Sequence, residues 1–170
     1  MTKPLVLDPY LADLTTPIGR LLLGSDGEHL THVWLPRNTV TTAVATKHPI
    51  PVLLRAQEEL SEYFARERSV FTLPLYYEGT TFQHAVWRTL AELPLGATTT
   101  YLQLATAAGY PKSARPVGHA VNQNPLAIVI PCHRVLGTRD LGGYAGGLEM
   151  KRELLELEGA LAPRKALSLV

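Results

Sequence analysis

The sequence predicts a small α/β unit, an antiparallel sheet plus one helix, followed by a mainly α-helical unit with a helix-turn-helix. Three observations carry this fold class. Short apolar runs flank an Asp-Gly turn in the first third of the chain. A long segment from Pro51 repeats its apolar residues at helical spacing. Beyond Gly79 helical patterns dominate, and two short ones are separated by a few residues with Gly and Pro. With 170 residues, 46% of them apolar, the chain can bury a core and is expected to be globular.

The elements follow in order. "RLLLG" and "HLTHVWL" are joined through "SDGE", which predicts a hairpin. In "PVLLRAQEELSEYFARER", Val52, Leu53, Ala56, Leu60, Tyr63 and Phe64 share a helical spacing, and Pro51 suits a first turn. "FTLPLYYEG" alternates Phe71, Leu73 and Leu75 as a strand does, with Pro74 marking an edge. In the second half, Thr80 or Thr81 caps a helix with Phe82, Val86 and Leu90 on one face, stopped by Pro94 and Gly96. Thr99 or Thr100 caps a helix over Tyr101–Ala108; Ser113 caps another that reaches about Asn122. After the glycine-rich "LGGYAGGL" comes a last helix, "LEMKRELLELE", which Gly159 ends. The expected division is a support unit over residues 1–78, a second unit over 79–160, and a loosely attached tail over 161–170.

Composition narrows the function. No apolar run approaches the roughly 18 residues that cross a bilayer, and "MTKPLVLDPYLADL" has acidic residues where a secretory signal is apolar. A single cysteine forms no internal disulfide, which fits a reducing cytoplasm. One cysteine and six scattered histidines give no zinc-like spacing, so neither a metal nor another cofactor is expected. Residues 1–99 carry a net charge of −2 and residues 100–170 a net of +3. Between 100 and 135 the charges are Lys112, Arg115 and Arg134, with no carboxylate. The helix-turn-helix pattern lies in this basic stretch, with Lys112, Ser113 and Arg115 at the start of its second helix.

The lone thiol stands in "NPLAIVIPCHRV". The run Leu126–Ile130 predicts a buried strand ended by Pro131, with Cys132, His133 and Arg134 following. Cys132 reads either as a small core residue or as a nucleophile, since a thiolate needs a nearby base or positive charge. Neighbours on a regular strand face opposite ways, so adjacency does not establish a Cys132–His133 contact. Glu153, Glu156 and Glu158 are the carboxylates on offer to polarise His133. The glycine-rich loop carries no phosphate-cradling motif; its glycines suit close approach of the backbone to a flat ligand.

The ordered series "TTPIGRLLLG", "GTTFQHAVWRTLAELPLGATTTY", "NP", "PCHRV" and "GGYAGG" resembles the O6-alkylguanine-DNA alkyltransferases, also called methylated-DNA–protein-cysteine methyltransferases, over nearly the whole chain. The resemblance implies an RNase H-like first unit and a winged-helix-like second one. It implies that Cys132 accepts an alkyl group from guanine O6, or from thymine O4, once and irreversibly. It makes His133 the acceptor of the thiol proton through a water, Glu158 its orienting partner, and Asn124 the pin of the turn before the reactive cysteine. Tyr101 then donates toward the purine and presses on the target phosphate. Val135 and the Ala145 amide read the base, while Tyr144 walls the pocket beside Gly146. Arg115 becomes the finger that fills the gap left by the flipped nucleotide, with Lys112 and Ser113 beside it on the DNA.

The implied partner is double-stranded DNA containing O6-alkylguanine, held with weak sequence preference by a monomer that can act cooperatively along DNA. Two departures stand out. Pro116 follows Arg115, which places Arg115 at a helix start, and Ala145 stands where a hydroxyl residue is common. Two other classes remain: a DNA-binding module that does not transfer, and a cysteine hydrolase built on a Cys–His–Glu relay.

Overall fold

The structure, a computed structural model, describes residues 8–36 and 49–163. The N-terminal residues before Asp8 and all but the start of the expected tail lie outside the described residues.

Three strands, β1 (Tyr10–Thr16), β2 (Gly19–Ser25) and β3 (Leu30–Trp34), form an antiparallel sheet in the order β1-β2-β3. The expected hairpin is β2-β3. The strand β1 was not foreseen, although Tyr10, Ala12 and Leu14 alternate along it and pack on the core. Helix α1 (Pro51–Phe64) begins on its proline and lays Val52, Leu53, Ala56, Leu60 and Tyr63 against the sheet. Its buried Glu59 accepts from the Thr72 amide at 2.8 Å and hydroxyl at 2.6 Å, tying the following segment to the helix.

That segment corrects one expectation. Phe71–Leu75 is not a regular strand: pairing is limited to a bridge between Leu75 and Leu30. The Leu30 amide donates to the Pro74 carbonyl at 2.8 Å and the Tyr76 amide to the Leu30 carbonyl at 3.1 Å. Pro74 has no N–H to extend the ladder.

Helices α2 (Thr81–Ala91), α3 (Tyr101–Ala107) and α4 (Ala114–Asn122) pack on one another. Trp87 of α2 donates its indole N–H to the Ala120 carbonyl of α4 at 2.9 Å. Thr80 and Thr100 each form a capping box with the glutamine three residues on, stabilising each helix start by about 1 kcal/mol. Ser113 makes no such bond. Its backbone, at φ −100° and ψ 33°, lies outside the extended region from which a cap hydroxyl reaches the first free amides. Arg115 and Pro116 both sit in the first turn of α4, as the proline requires. Short strands β4 (Thr99–Thr100) and β5 (Val135–Leu136) pair in parallel, and α5 (Leu148–Leu157) closes the second half.

The expected strand over Leu126–Ile130 is instead a tight buried turn. The Val129 amide donates to the Ala127 carbonyl at 2.9 Å and the Ile130 amide to the Leu126 carbonyl at 2.8 Å. Ile128 sits at φ 73°, an uncommon and strained region for a β-branched residue. Asn124 holds the turn shut: its side-chain NH2 donates to the Ile130 carbonyl at 2.8 Å and its oxygen accepts from the Leu126 amide at 3.0 Å. An apolar run records burial, and burial is common to a core strand and a clamped turn. The turn docks on the outer edge of β3, beyond the Leu30–Leu75 bridge, where the Val33 amide donates to the Pro125 carbonyl at 2.9 Å.

Candidate active site

Cys132 opens a single 3₁₀ turn, Cys132–Arg134, directly after Pro131. On such a turn successive side chains point about 120° apart rather than to opposite faces. Cys132 borders a cavity of about 450 Å³, while His133 and Arg134 are directed inward and are 0% and 5% exposed. The cavity is walled by β3 (Val33, Trp34 and the adjoining Leu35), by Tyr101, by α4 with Asn124 after it, and by Gly143, Tyr144 and Ala145.

Behind the thiol lies a closed set of charged groups. His133 Nε2 is 2.7 Å from Glu158 Oε1, and Arg134 clamps the same carboxylate through Nε to Oε2 at 2.7 Å and Nη2 to Oε1 at 2.9 Å. Burial pushes the Glu158 carboxyl up, but hydrogen bonds and charge from His133 and Arg134 outweigh it and hold the group at about 2. An ionised carboxylate only accepts, so Nε2 carries the imidazole proton and Nδ1 the lone pair. Nδ1 is buried and has no hydrogen-bond partner among the described residues. Burial holds the imidazole below its ordinary value, against the pull of Glu158, so it rests neutral and basic at Nδ1.

The thiol is pushed up by burial. The Asn124 side chain, the Lys151 charge and the backbone amides of Cys132 and His133 pull the other way. Lys151 is wholly buried and donates to the Val135 carbonyl at 2.5 Å and the Gly143 carbonyl at 3.0 Å. Burial lowers it to about 8, which leaves it largely charged at neutral pH. The arrangement therefore keeps a protonated thiol at rest, with a base and a fixed positive charge ready for the thiolate.

The remaining sequence-predicted residues divide. Tyr101, Asn124, Tyr144 and Ala145 line the cavity with Cys132. Burial raises the Tyr101 phenol despite a backbone hydrogen bond from Gly143. Gly142 has φ 66°, and a Cβ there would lie 3.1 Å from the Tyr101 ring and hydroxyl, so glycine lets this loop close on Tyr101. Val135 and Gly146 are buried and lie outside the cavity lining. Lys112 and Arg115 are exposed at the head of α4, and Ser113 is half-buried beside them. Arg134 is a correction. It adds to the net positive charge of residues 100–135 on paper, but it is buried against Glu158 and the Leu93 carbonyl and so adds no positive surface. Of the three carboxylates offered to His133, Glu158 is the partner.

A family model described as 6-O-methylguanine DNA methyltransferase, DNA binding domain, matches residues 81–160. The chain is 42% identical to the methylated-DNA–protein-cysteine methyltransferase of Haemophilus influenzae over 153 residues, covering 88% of this chain and 86% of the relative. It belongs to that family. The namesake from Methanosarcina acetivorans is 42% identical, with 89% of this chain and 99% of the relative covered. The crystal structure of Mycobacterium tuberculosis OGT in complex with DNA superposes with a TM-score of 0.80 at 40% identity, covering 88% of this chain and 92% of that one.

One residue of this methyltransferase-family site, Lys151, lies beyond the set that the sequence points to. Lys151 had a signal: with Leu154, Leu155 and Glu158 it falls on one stripe of α5, where a lysine is out of place unless it has a task. The pairing of Arg134 with Glu158 had none, because the destination of its guanidinium is set by tertiary packing.

Proposed function

We propose that this protein repairs DNA by direct reversal, moving an alkyl group from guanine O6 or thymine O4 irreversibly onto its own Cys132. One observation carries the reading: the single thiol borders a cavity beside α4, backed by a buried imidazole with a free Nδ1 and a carboxylate on its other nitrogen. The names of the relatives agree with it. In the reaction a Cys132 Sγ–carbon bond forms as the carbon–O6 bond breaks. The thiol proton passes through a water to His133 Nδ1, Lys151 offsets the growing thiolate charge, and the base leaves with its electron pair stabilised by Tyr101 and the Ala145 amide.

The cavity admits a base only if the nucleotide leaves the stack. Arg115 fills the gap from the first turn of α4, with Lys112 and Ser113 on the neighbouring backbone. This sparse charge suits weak, sequence-tolerant binding by a cytoplasmic monomer. Residues 1–78 and 79–160 act as the two units, RNase H-like and winged-helix-like. The three-stranded sheet with α1 supports the first kinship; the β4–β5 pair beside α3 and α4 supports the second. Among the described residues no group of three or more His, Cys, Asp or Glu could hold a metal ion, and no helix is long and apolar enough to cross a membrane.

Incubation with duplex DNA containing O6-methylguanine should add one methyl group to the peptide containing Cys132, with one base repaired per protein molecule. Lesion binding with an unmodified peptide would favour a non-transferring recognition module; sustained turnover would contradict a single-use acceptor. Arg115→Ala should slow repair in duplex DNA by on the order of tenfold or more, since extrusion costs a few kcal/mol. Its reaction with free O6-benzylguanine should stay at the wild-type rate. Equal losses on both substrates would remove Arg115 from nucleotide flipping.

A further inference from the structure

We infer that Tyr63, in the first unit, is a positioning residue of the active-site relay: its hydroxyl sets how strongly Glu158 acts on His133. The inference rests on the functional reading above and gives the first unit a part in it. Tyr63 lies near the end of α1, is 2% exposed, and donates its hydroxyl to Glu158 Oε1 at 2.7 Å. That oxygen is the one that faces His133 Nε2. A buried tyrosine hydroxyl needs a partner, and here that partner is the same carboxylate oxygen that holds His133. Phe64 and Phe71, whose rings pack on Tyr63 with centroids 5.1 and 5.6 Å away, fill the same core without a hydroxyl. Burial and the Glu158 charge hold the phenol protonated, so it is a fixed donor.

The charged and titratable groups around the relay are few. Tyr63 comes from α1, Cys132 and Arg134 from the 3₁₀ turn, Tyr144 from the glycine-rich loop, and Lys151 from α5. Arg134 and Lys151 lower the His133 proton affinity and Glu158 raises it. A hydroxyl donating to Oε1 disperses part of the carboxylate charge, so it weakens the pull of Glu158 on the imidazole proton. Without it the imidazolium is better stabilised. His133 then stays protonated to higher pH and is lost as a base there.

The test compares wild type with Tyr63→Phe and Tyr63→Leu, reading the pH dependence of Cys132 alkylation by free O6-benzylguanine and the NMR titration of the His133 ring. Both variants should move the acidic limb of the rate profile and the His133 titration upward, by about half to one pH unit. Both should lower the thermal midpoint, because each removes a buried hydrogen bond to a carboxylate, and Tyr63→Leu, which also loses the ring packing, should lower it further. A limb and titration in Tyr63→Phe that superpose on wild type, or that move downward, would overturn the role of Tyr63 while leaving the transfer reading intact. A wild-type Cys132 that is never alkylated overturns that reading, and this inference with it.

Discussion

Cys132→Ser should abolish alkyl transfer while binding to duplex DNA persists. The site explains the size of the loss. Burial opposes ionisation of the residue at this position, and the opposing help comes from one amide side chain, two backbone amides and the Lys151 charge. That help brings a thiol within reach of its thiolate. A serine hydroxyl starts many pH units higher and stays neutral under the same field, so His133 Nδ1 has no anion to generate. Transfer should fall by at least about 10⁴-fold, or about 5.5 kcal/mol of barrier. The fold should hold, because the hydroxyl is smaller than the thiol and Asn124 is beside it as a partner. Mass spectrometry of the peptide and fluorescence anisotropy on a labelled duplex check the two halves separately. Serine-dependent repair would remove the thiol from the chemistry, and loss of DNA binding would mean the substitution had damaged the fold.

What the sequence could and could not convey differs by element. The helices were legible because their periodicity is local: α1 and α2 bury the stripes that spacing indicates, and Thr80 and Thr100 cap as their types suggest. The reactive segment was legible in content but not in shape. Leu126–Ile130 is apolar because it is buried, and the Asn124 clamp that bends it acts across six residues. The Cys132–His133 relation turned on the backbone after Pro131, where a 3₁₀ turn sends the imidazole inward. Arg134 misled because charge on paper carries no direction; its pairing with Glu158 spans 24 residues and needs α5 in place. Tyr63 lies 95 residues from its partner and was visible only as one more core position.

Glu158→Gln should destabilise the protein by about 3–5 kcal/mol at neutral pH, the usual cost of breaking one side of a buried ion pair. The carboxylate collects four bonds, from Tyr63, from His133 and two from Arg134, and its side chain is fully buried. An amide keeps the shape but presents an NH2 to donors and leaves the Arg134 guanidinium, 5% exposed, without a counter-charge. In a chain of this length the thermal midpoint should fall by roughly 10 °C. The pH dependence has a definite sign. The Glu158 carboxyl falls from 4.5 to about 2 on folding, so its contribution is complete above 4.5 and is lost as pH falls toward 2. That contribution is about 3 kcal/mol in wild type, and Glu158→Gln should lose the corresponding acid-side slope in denaturant titrations between pH 5 and about 2. The double variant Arg134→Met, Glu158→Leu separates stability from chemistry. Apolar replacement of both partners should recover only part of the loss, because the Tyr63 hydroxyl and the His133 Nε2–H are then left buried without their acceptor. Transfer should stay impaired, because His133 then lacks the carboxylate that fixes its proton on Nε2. A single Glu158→Gln variant within about 1 kcal/mol of wild type at pH 7 would show the pair to be solvated in solution; a double variant that transfers at the wild-type rate would take Glu158 out of the relay.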